Sequence, residues 1–187
     1  MKKFKKLIAV ALAVILSLSV MSVVAFASTT DSLKRTDDGT WLYMENGEHN
    51  ADYTGLVKYY DTWYYVENGV LNWNYTGPTE YYGTTYYVIK SILEWDYSSL
   101  VCVNDVWHYV ENGVYSNDYT GLTKYYGTWY YVEDGVLNWD YTGLTKYYDT
   151  WYYVENGELN WNYTGLTQYF DTWYYVEDGV LNWNKNG

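Results

Sequence analysis

Apolar and polar positions alternate along most of this chain in short runs, and the same run returns every 22 residues. Tyr53, Tyr75, Tyr97, Tyr119, Tyr141 and Tyr163 open six full units, at 53–74, 75–96, 97–118, 119–140, 141–162 and 163–184, behind a half unit at 41–52. In the unit Tyr141 to Asn162, Thr150-Trp151-Tyr152-Tyr153-Val154 is aromatic and β-branched, the composition of a strand. Asn156-Gly157 follows and predicts a tight hairpin turn, because both residue types accept positive φ. The same turn recurs at Asn46-Gly47, Asn68-Gly69, Asn112-Gly113, Asp134-Gly135 and Asp178-Gly179. Glu158-Leu159-Asn160-Trp161 alternates polar and apolar, as a half-buried return strand should. Tyr141-Thr142-Gly143 reads as a corner, and Leu144 to Tyr147 as a second short strand. No helical period competes, and the repeated glycines disfavour a helix.

A lone hairpin removes too little apolar surface from water to stay folded. Stacked hairpins bury their aromatic faces against one another. The expected fold is therefore all-β: a solenoid of stacked β-hairpins spanning 41–187, behind a short polar lead at 28–40.

The ends of the chain indicate export. Lys2, Lys3, Lys5 and Lys6 precede the apolar stretch Leu7 to Val24, and Ala25-Phe26-Ala27 has the small-x-small pattern of a cleavage site. Residues 1–27 are read as a signal peptide, with Ser28 as the new amino terminus. Every later aromatic run is broken by Asn, Asp, Thr or Gly, so no membrane partner is expected after cleavage. The formal charge of −12 excludes nucleic acid and bare phosphate polymers, which need clustered Lys and Arg. Neutral glycans and cationic groups stay compatible. Cys102 is the only cysteine, so no internal disulfide forms; it is read as a small apolar core residue in a diverged repeat.

Tyr accounts for 28 residues and Trp for 11, against 3 Phe, so ring-bearing groups with polar tips replace the usual aliphatic core. Such rings suit a partly wet groove. Along the Trp-Tyr-Tyr strand, Trp63 and Tyr65 share one face while Tyr64 and Val66 share the other. One face packs the core and the other meets ligand. The candidate binding residues are Trp63, Tyr65, Trp73, Trp129, Tyr131, Trp139, Trp151, Tyr153, Trp161, Trp173 and Tyr175. Lys58, Lys124 and Lys146 read as protection of an edge strand. Asp61, Asp149 and Asp171 exchange with Gly83 and Gly127, which points to turn geometry. His49 and His108 lack recurring partners, so no catalytic residue, metal or cofactor is expected.

The run Thr-Gly-Leu-Thr-Lys-Tyr-Tyr-Asp-Thr-Trp-Tyr-Tyr-Val-Glu-Asn-Gly at 142–157 resembles the cell-wall-binding repeats of Gram-positive bacteria, the choline-binding and glucan-binding types. The resemblance implies a superhelix of hairpins with ligand sites between consecutive units. In choline-binding members, rings cage a quaternary ammonium, one of them usually the Trp of Thr-Gly-Trp. Leu56, Pro78, Leu100, Leu122, Leu144 and Leu166 stand there instead, while an added Trp appears at 73, 95, 139, 161 and 183. A carbohydrate on a flat aromatic platform is therefore favoured over choline. The expected function is that of a secreted, non-catalytic protein bound multivalently, without a covalent link, to a cell-wall or extracellular glycan or a choline-substituted polymer. The alternative is a structural or adhesive protein that contacts proteins or its own copies. Thr85, Ser91, Val103-Asn104-Asp105-Val106 and Asn117 depart from the pattern, so sites in units 75–96 and 97–118 should be weaker than those in 119–184.

Overall fold

This computed structural model describes residues 31–185, so the expected leader at 1–27 lies outside the described residues. Each unit forms three antiparallel strands. β1 (Ser32–Arg35), β2 (Trp41–Glu45) and β3 (Glu48–His49) make the first set; β4 (Gly55–Tyr59), β5 (Thr62–Glu67) and β6 (Val70–Leu71) make the next. The triplet recurs through to Gly165–Tyr169, Thr172–Glu177 and Val180–Leu181, giving 21 strands and no α-helix among the described residues. One turn of 3-10 helix, Trp183–Lys185, follows.

β4 runs against β5 with Leu56 opposite Tyr65 and Lys58 opposite Trp63. β6 returns on β5, Val66 opposite Leu71. The third strand of each unit also touches the middle strand of the unit before, as Val70 does opposite Leu42. Those bridges join the units into one open sheet.

The Asn-Gly turns seat one repeat on another. Asn156 and Gly157 have φ of 51° and 77°, the doubly left-handed turn expected from their types. A Cβ on Gly157 would stand 2.7 Å from the Asn138 carbonyl oxygen of the preceding repeat, so only a bare Cα fits. That contact lets the Gly157 carbonyl accept from the Tyr131 N–H at 2.8 Å. Ser91 takes the equivalent place at φ 70°, fully buried, and its hydroxyl donates to the Tyr65 carbonyl at 2.8 Å.

Both faces of the middle strand are core. Val66 packs backward with Leu33, Tyr43 and Val57, and Tyr65 packs forward with Leu56, Val88 and Leu93. Each corner tyrosine packs ring to ring on a tyrosine of the preceding unit, stacked in four cases and tilted for Tyr53 and Tyr119; Tyr75 lies on the buried Tyr65 with centroids 3.7 Å apart. Its hydroxyl then donates to a carbonyl three residues on, as from Tyr53 to Leu56 at 2.6 Å.

Three local expectations change. Residues 32–35 are a strand rather than polar lead: Leu33 is buried against Val57, too short an apolar signal to stand out among charged neighbours. The return strand is only Glu158–Leu159, because the Asn160 side chain accepts the Asn162 N–H at 2.9 Å and turns the chain, swinging Trp161 out of the sheet. Cys102 is exposed rather than core, since the register puts it in the outward place that Lys58 and Lys124 hold in their units.

Candidate functional site

Stacking brings together four rings that no single repeat contains. Trp107, from the middle strand of unit 97–118, points forward to the next unit. That unit supplies Tyr125 from its first strand, Tyr130 from its middle strand and Trp139 from the turn after its third. Together with Leu100 and Leu137 they line a cavity of about 50 Å³. Trp107 meets Tyr125 at 5.1 Å and 67°, and Tyr130 meets Trp139 at 5.8 Å and 81°. Two edge-to-face pairs thus wall one small cage.

The same pairs recur along the stack. Trp63 and Tyr81 are 5.0 Å apart, with Tyr86 and Trp95 at 5.9 Å. Trp129 and Tyr147 are 4.8 Å apart, with Tyr152 and Trp161 at 5.7 Å. Trp41, Tyr59, Tyr64 and Trp73 form the first set, and Trp151, Tyr169, Tyr174 and Trp183 the last. Burial is the main cause holding the phenols of Tyr59, Tyr81, Tyr125 and Tyr147 above their ordinary pKa.

One junction has lost the cage altogether. Between units 75–96 and 97–118, the four positions hold Thr85, Val103, His108 and Asn117. Tyr115 replaces the usual leucine there, with its ring 5.3 Å from His108 and its buried hydroxyl without a partner. Burial depresses the His108 pKa and pushes that of Tyr115 up to about 12. The other five junctions keep all four rings; this one keeps none, in a unit that also departs from the repeat at Ser98, Ser99, Cys102, Asn104 and Val106.

The residues expected from the sequence divide accordingly. Trp63, Trp129 and Trp151 are cage walls contributed forward, and Trp73, Trp139 and Trp161 are walls contributed by the following unit. Tyr65, Tyr131 and Tyr153 are corrected to core: each is at most 7% exposed, its ring stacked on Tyr75, Tyr141 or Tyr163, which leaves no free face for a ligand. Trp173 is 61% exposed and Tyr175 half-buried, with the Lys185 ammonium 4.5 Å from the Tyr175 ring centre. No later repeat completes a cage on Trp173 among the described residues. Four leucines that replace the expected Trp are core: Leu56, Leu100, Leu122 and Leu144 are 1–2% exposed.

Sequence reasoning missed the tyrosine walls and also a row of turn-tip rings. Tyr60, Tyr82, Tyr126, Tyr148 and Phe170 are 82–94% exposed and have φ between 44° and 52°. A bulky residue in that conformation costs roughly 1–2 kcal/mol. Each tip ring meets the neighbouring cage tyrosine edge to face, Tyr82 to Tyr81 at 4.5 Å. Beside Tyr82 lies an open groove of about 520 Å³, lined among others by Trp63, Tyr81, Lys58, Glu80, Glu45 and Asp31.

Comparison with known proteins agrees with this architecture. The choline-binding repeat model matches residues 52–72, 96–114, 118–138, 140–160 and 162–182, more than half of the chain. No curated protein matches it. Among solved structures, choline binding protein F from Streptococcus pneumoniae is 25% identical, covering 80% of this chain and 51% of that one, with a TM-score of 0.34. An alternansucrase in complex with isomaltononaose is 19% identical over 81% of this chain and 12% of its own, TM-score 0.36. The modular Cpl-1 endolysin complexed with a peptidoglycan analogue is 21% identical over 75% and 40%, TM-score 0.34. The chain thus spans about half the length of the first of these and less of the others. With five of its repeats matched, over more than half of its residues, the chain belongs to the choline-binding repeat family.

Proposed function

We propose that this is a secreted, non-catalytic binding protein that holds choline groups displayed along a cell-wall or extracellular polymer, one group per inter-repeat cage. The single observation that carries this reading is the joint replacement by Thr85, Val103, His108 and Asn117. Residues kept or lost together across a junction are members of one site.

Ring arrangement and size favour a small cation over a sugar. A quaternary ammonium between ring faces gains roughly 0.5–2 kcal/mol per contact from the ring quadrupoles, more as it is desolvated. The cavity at Trp107, about 50 Å³, is too small for a pyranose ring, and its four-ring lining suits a methylated ammonium head entering partway from solvent. We therefore read a choline group, rather than the carbohydrate expected from Leu56 and its equivalents, as the occupant of the cage. Leu56, Leu100, Leu122 and Leu144 are core, with Leu166 exposed in the last unit, and the added Trp at 73, 95, 139, 161 and 183 supplies the missing wall. The formal charge of −12 draws cations toward the surface. Repetition adds avidity: sites on one rod meeting a repeating ligand raise retention ~10²–10⁴-fold over a single site. Export is supported by the basic, apolar and Ala-Phe-Ala leader pattern at 1–27.

The test is chromatography of purified residues 28–187 on an immobilised quaternary-amine resin. Retention and elution by free choline, but not by equimolar lysine or oligosaccharide, is expected. Passage through the column, or elution by salt alone, would overturn the reading. Self-association without retention would favour a structural role.

A further inference from the structure

We infer that the turn-tip rings Tyr60, Tyr82, Tyr126, Tyr148 and Phe170 form a second binding row, a set of stacking platforms for the pyranose units of the polymer whose choline groups fill the cages. The inference rests on the cage reading for the identity of that polymer, and its test separates the two.

Fold stability gives no reason for these rings. They are 82–94% exposed, so most of their surface stays in water, with only an edge-to-face contact to the adjacent cage tyrosine. The turn does not need a ring either, because Asn104 holds the same place at φ 50° with the hairpin intact. Asn is also the residue type that accepts this conformation most readily after glycine. Aromatic side chains nevertheless occupy the other five full-unit tips. Phe170 keeps the ring without the hydroxyl, so what the position retains is the ring face. The one full-unit tip without a ring belongs to the one junction without a cage, so tip and cage are lost together.

The surroundings specify the class of ligand. Tyr82 borders a groove of about 520 Å³, roughly ten times the volume of the cage at Trp107. Tyr81 links the groove to the cage of its own junction: it meets the cage wall Trp63, which also lines the groove, and the tip ring Tyr82. The groove also presents Lys58, Glu80 and Glu45. An exposed ring face beside ammonium and carboxylate groups matches the two sides of a hexose: apolar C–H groups on one face, hydroxyls around the edge. A wholly apolar partner would leave Glu80 and Glu45 desolvated and unpaired.

The experiment uses the full array with all five tips replaced by Asn, copying the native Asn104: Tyr60→Asn, Tyr82→Asn, Tyr126→Asn, Tyr148→Asn and Phe170→Asn. Choline affinity is measured by calorimetry. Affinity for choline-free chitotetraose and isomaltotetraose is measured by ligand-observed NMR. Wild type is expected to bind at least one oligosaccharide, the variant at least tenfold more weakly, with choline affinity unchanged within twofold. Unchanged sugar affinity in the variant, or no binding of either oligosaccharide by wild type, would overturn the platform. Tip-dependent sugar binding without choline binding would instead leave the platform standing and remove the cage reading. Far-UV circular dichroism of the variant confirms that any loss is not unfolding.

Discussion

The indole of Trp63 and the phenol ring of Tyr81 come from different repeats and meet edge to face, with centroids 5.0 Å apart and planes at 64°. Neither repeat alone has a site at that place. Binding and stacking are therefore coupled: a ligand seated against the walls that these two rings form contacts both repeats and should resist their separation.

Removing one forward wall should abolish one cage. Trp129→Ala leaves Tyr147, Tyr152 and Trp161 with an open side. The expected result is release from the quaternary-amine resin at lower choline. The free energy of urea unfolding should fall by about 2–4 kcal/mol, because the indole is only partly exposed and also packs against the next repeat. Unaltered elution would show that this space holds no ligand.

Rebuilding the lost junction is the converse experiment. Thr85→Trp, Val103→Tyr, His108→Tyr and Asn117→Trp, with Tyr115→Leu to restore the usual floor, should add a site. Tryptophan fluorescence titrated with choline should show the extra quenching component only when all four walls are present. Thr85→Trp alone should add none.

Much of this was legible in the sequence. The period, the Asn-Gly turns and the alternation of Thr150 to Val154 fixed the hairpins, because turn chemistry and side-chain alternation are local properties. The cage was less visible for a physical reason. Its walls lie in two repeats, so Thr85 in one unit and Val103, His108 and Asn117 in the next look like separate lapses until stacking joins them. Tyr65 was misplaced because the middle strand is sandwiched between neighbours and has no free face. The tip rings escaped notice because Asp61 and Gly83 suggested the turn, whereas the left-handed residue is the tyrosine just before them.

Two glycine substitutions should separate close approach from backbone strain. Gly135→Ala puts a Cβ 2.4 Å from the Ser116 carbonyl oxygen of the preceding repeat, at φ 76°. Gly127→Ala meets nothing within 4 Å and bears only the cost of φ 94°. Urea denaturation should show a loss of roughly 1 kcal/mol for Gly127→Ala and a clearly larger one for Gly135→Ala. Equal losses would contradict the packed interface at that turn.

Alkaline pH should loosen the stack. Burial pushes the corner phenols of Tyr53 and Tyr119 up to about 12, from an ordinary value of 10. Raised folded-state pKa values mean that their stabilisation is complete below pH 10 and is lost as pH climbs from 10 through 12. Thermal melts across that range should show a falling midpoint. Tyr119→Phe, which also loses the hydroxyl bond to the Leu122 carbonyl at 2.6 Å, should melt about 1 kcal/mol less stable at neutral pH and show a shallower alkaline decline.

Cys102 offers a check on the register. Lying exposed opposite Trp107 on its hairpin, it should react with a maleimide in native buffer as completely as in denaturant, read by intact mass. Protection until unfolding would place it inward and shift the strand.

Isothermal titration of the full array with free choline addresses the cage assignment most directly. Trp41, Trp63, Trp107, Trp129 and Trp151 each open a complete set of walls, so saturation should come at five cholines per chain. No heat of binding, or saturation at a single equivalent that persists when Trp63, Trp107, Trp129 and Trp151 are replaced by Ala, would contradict it.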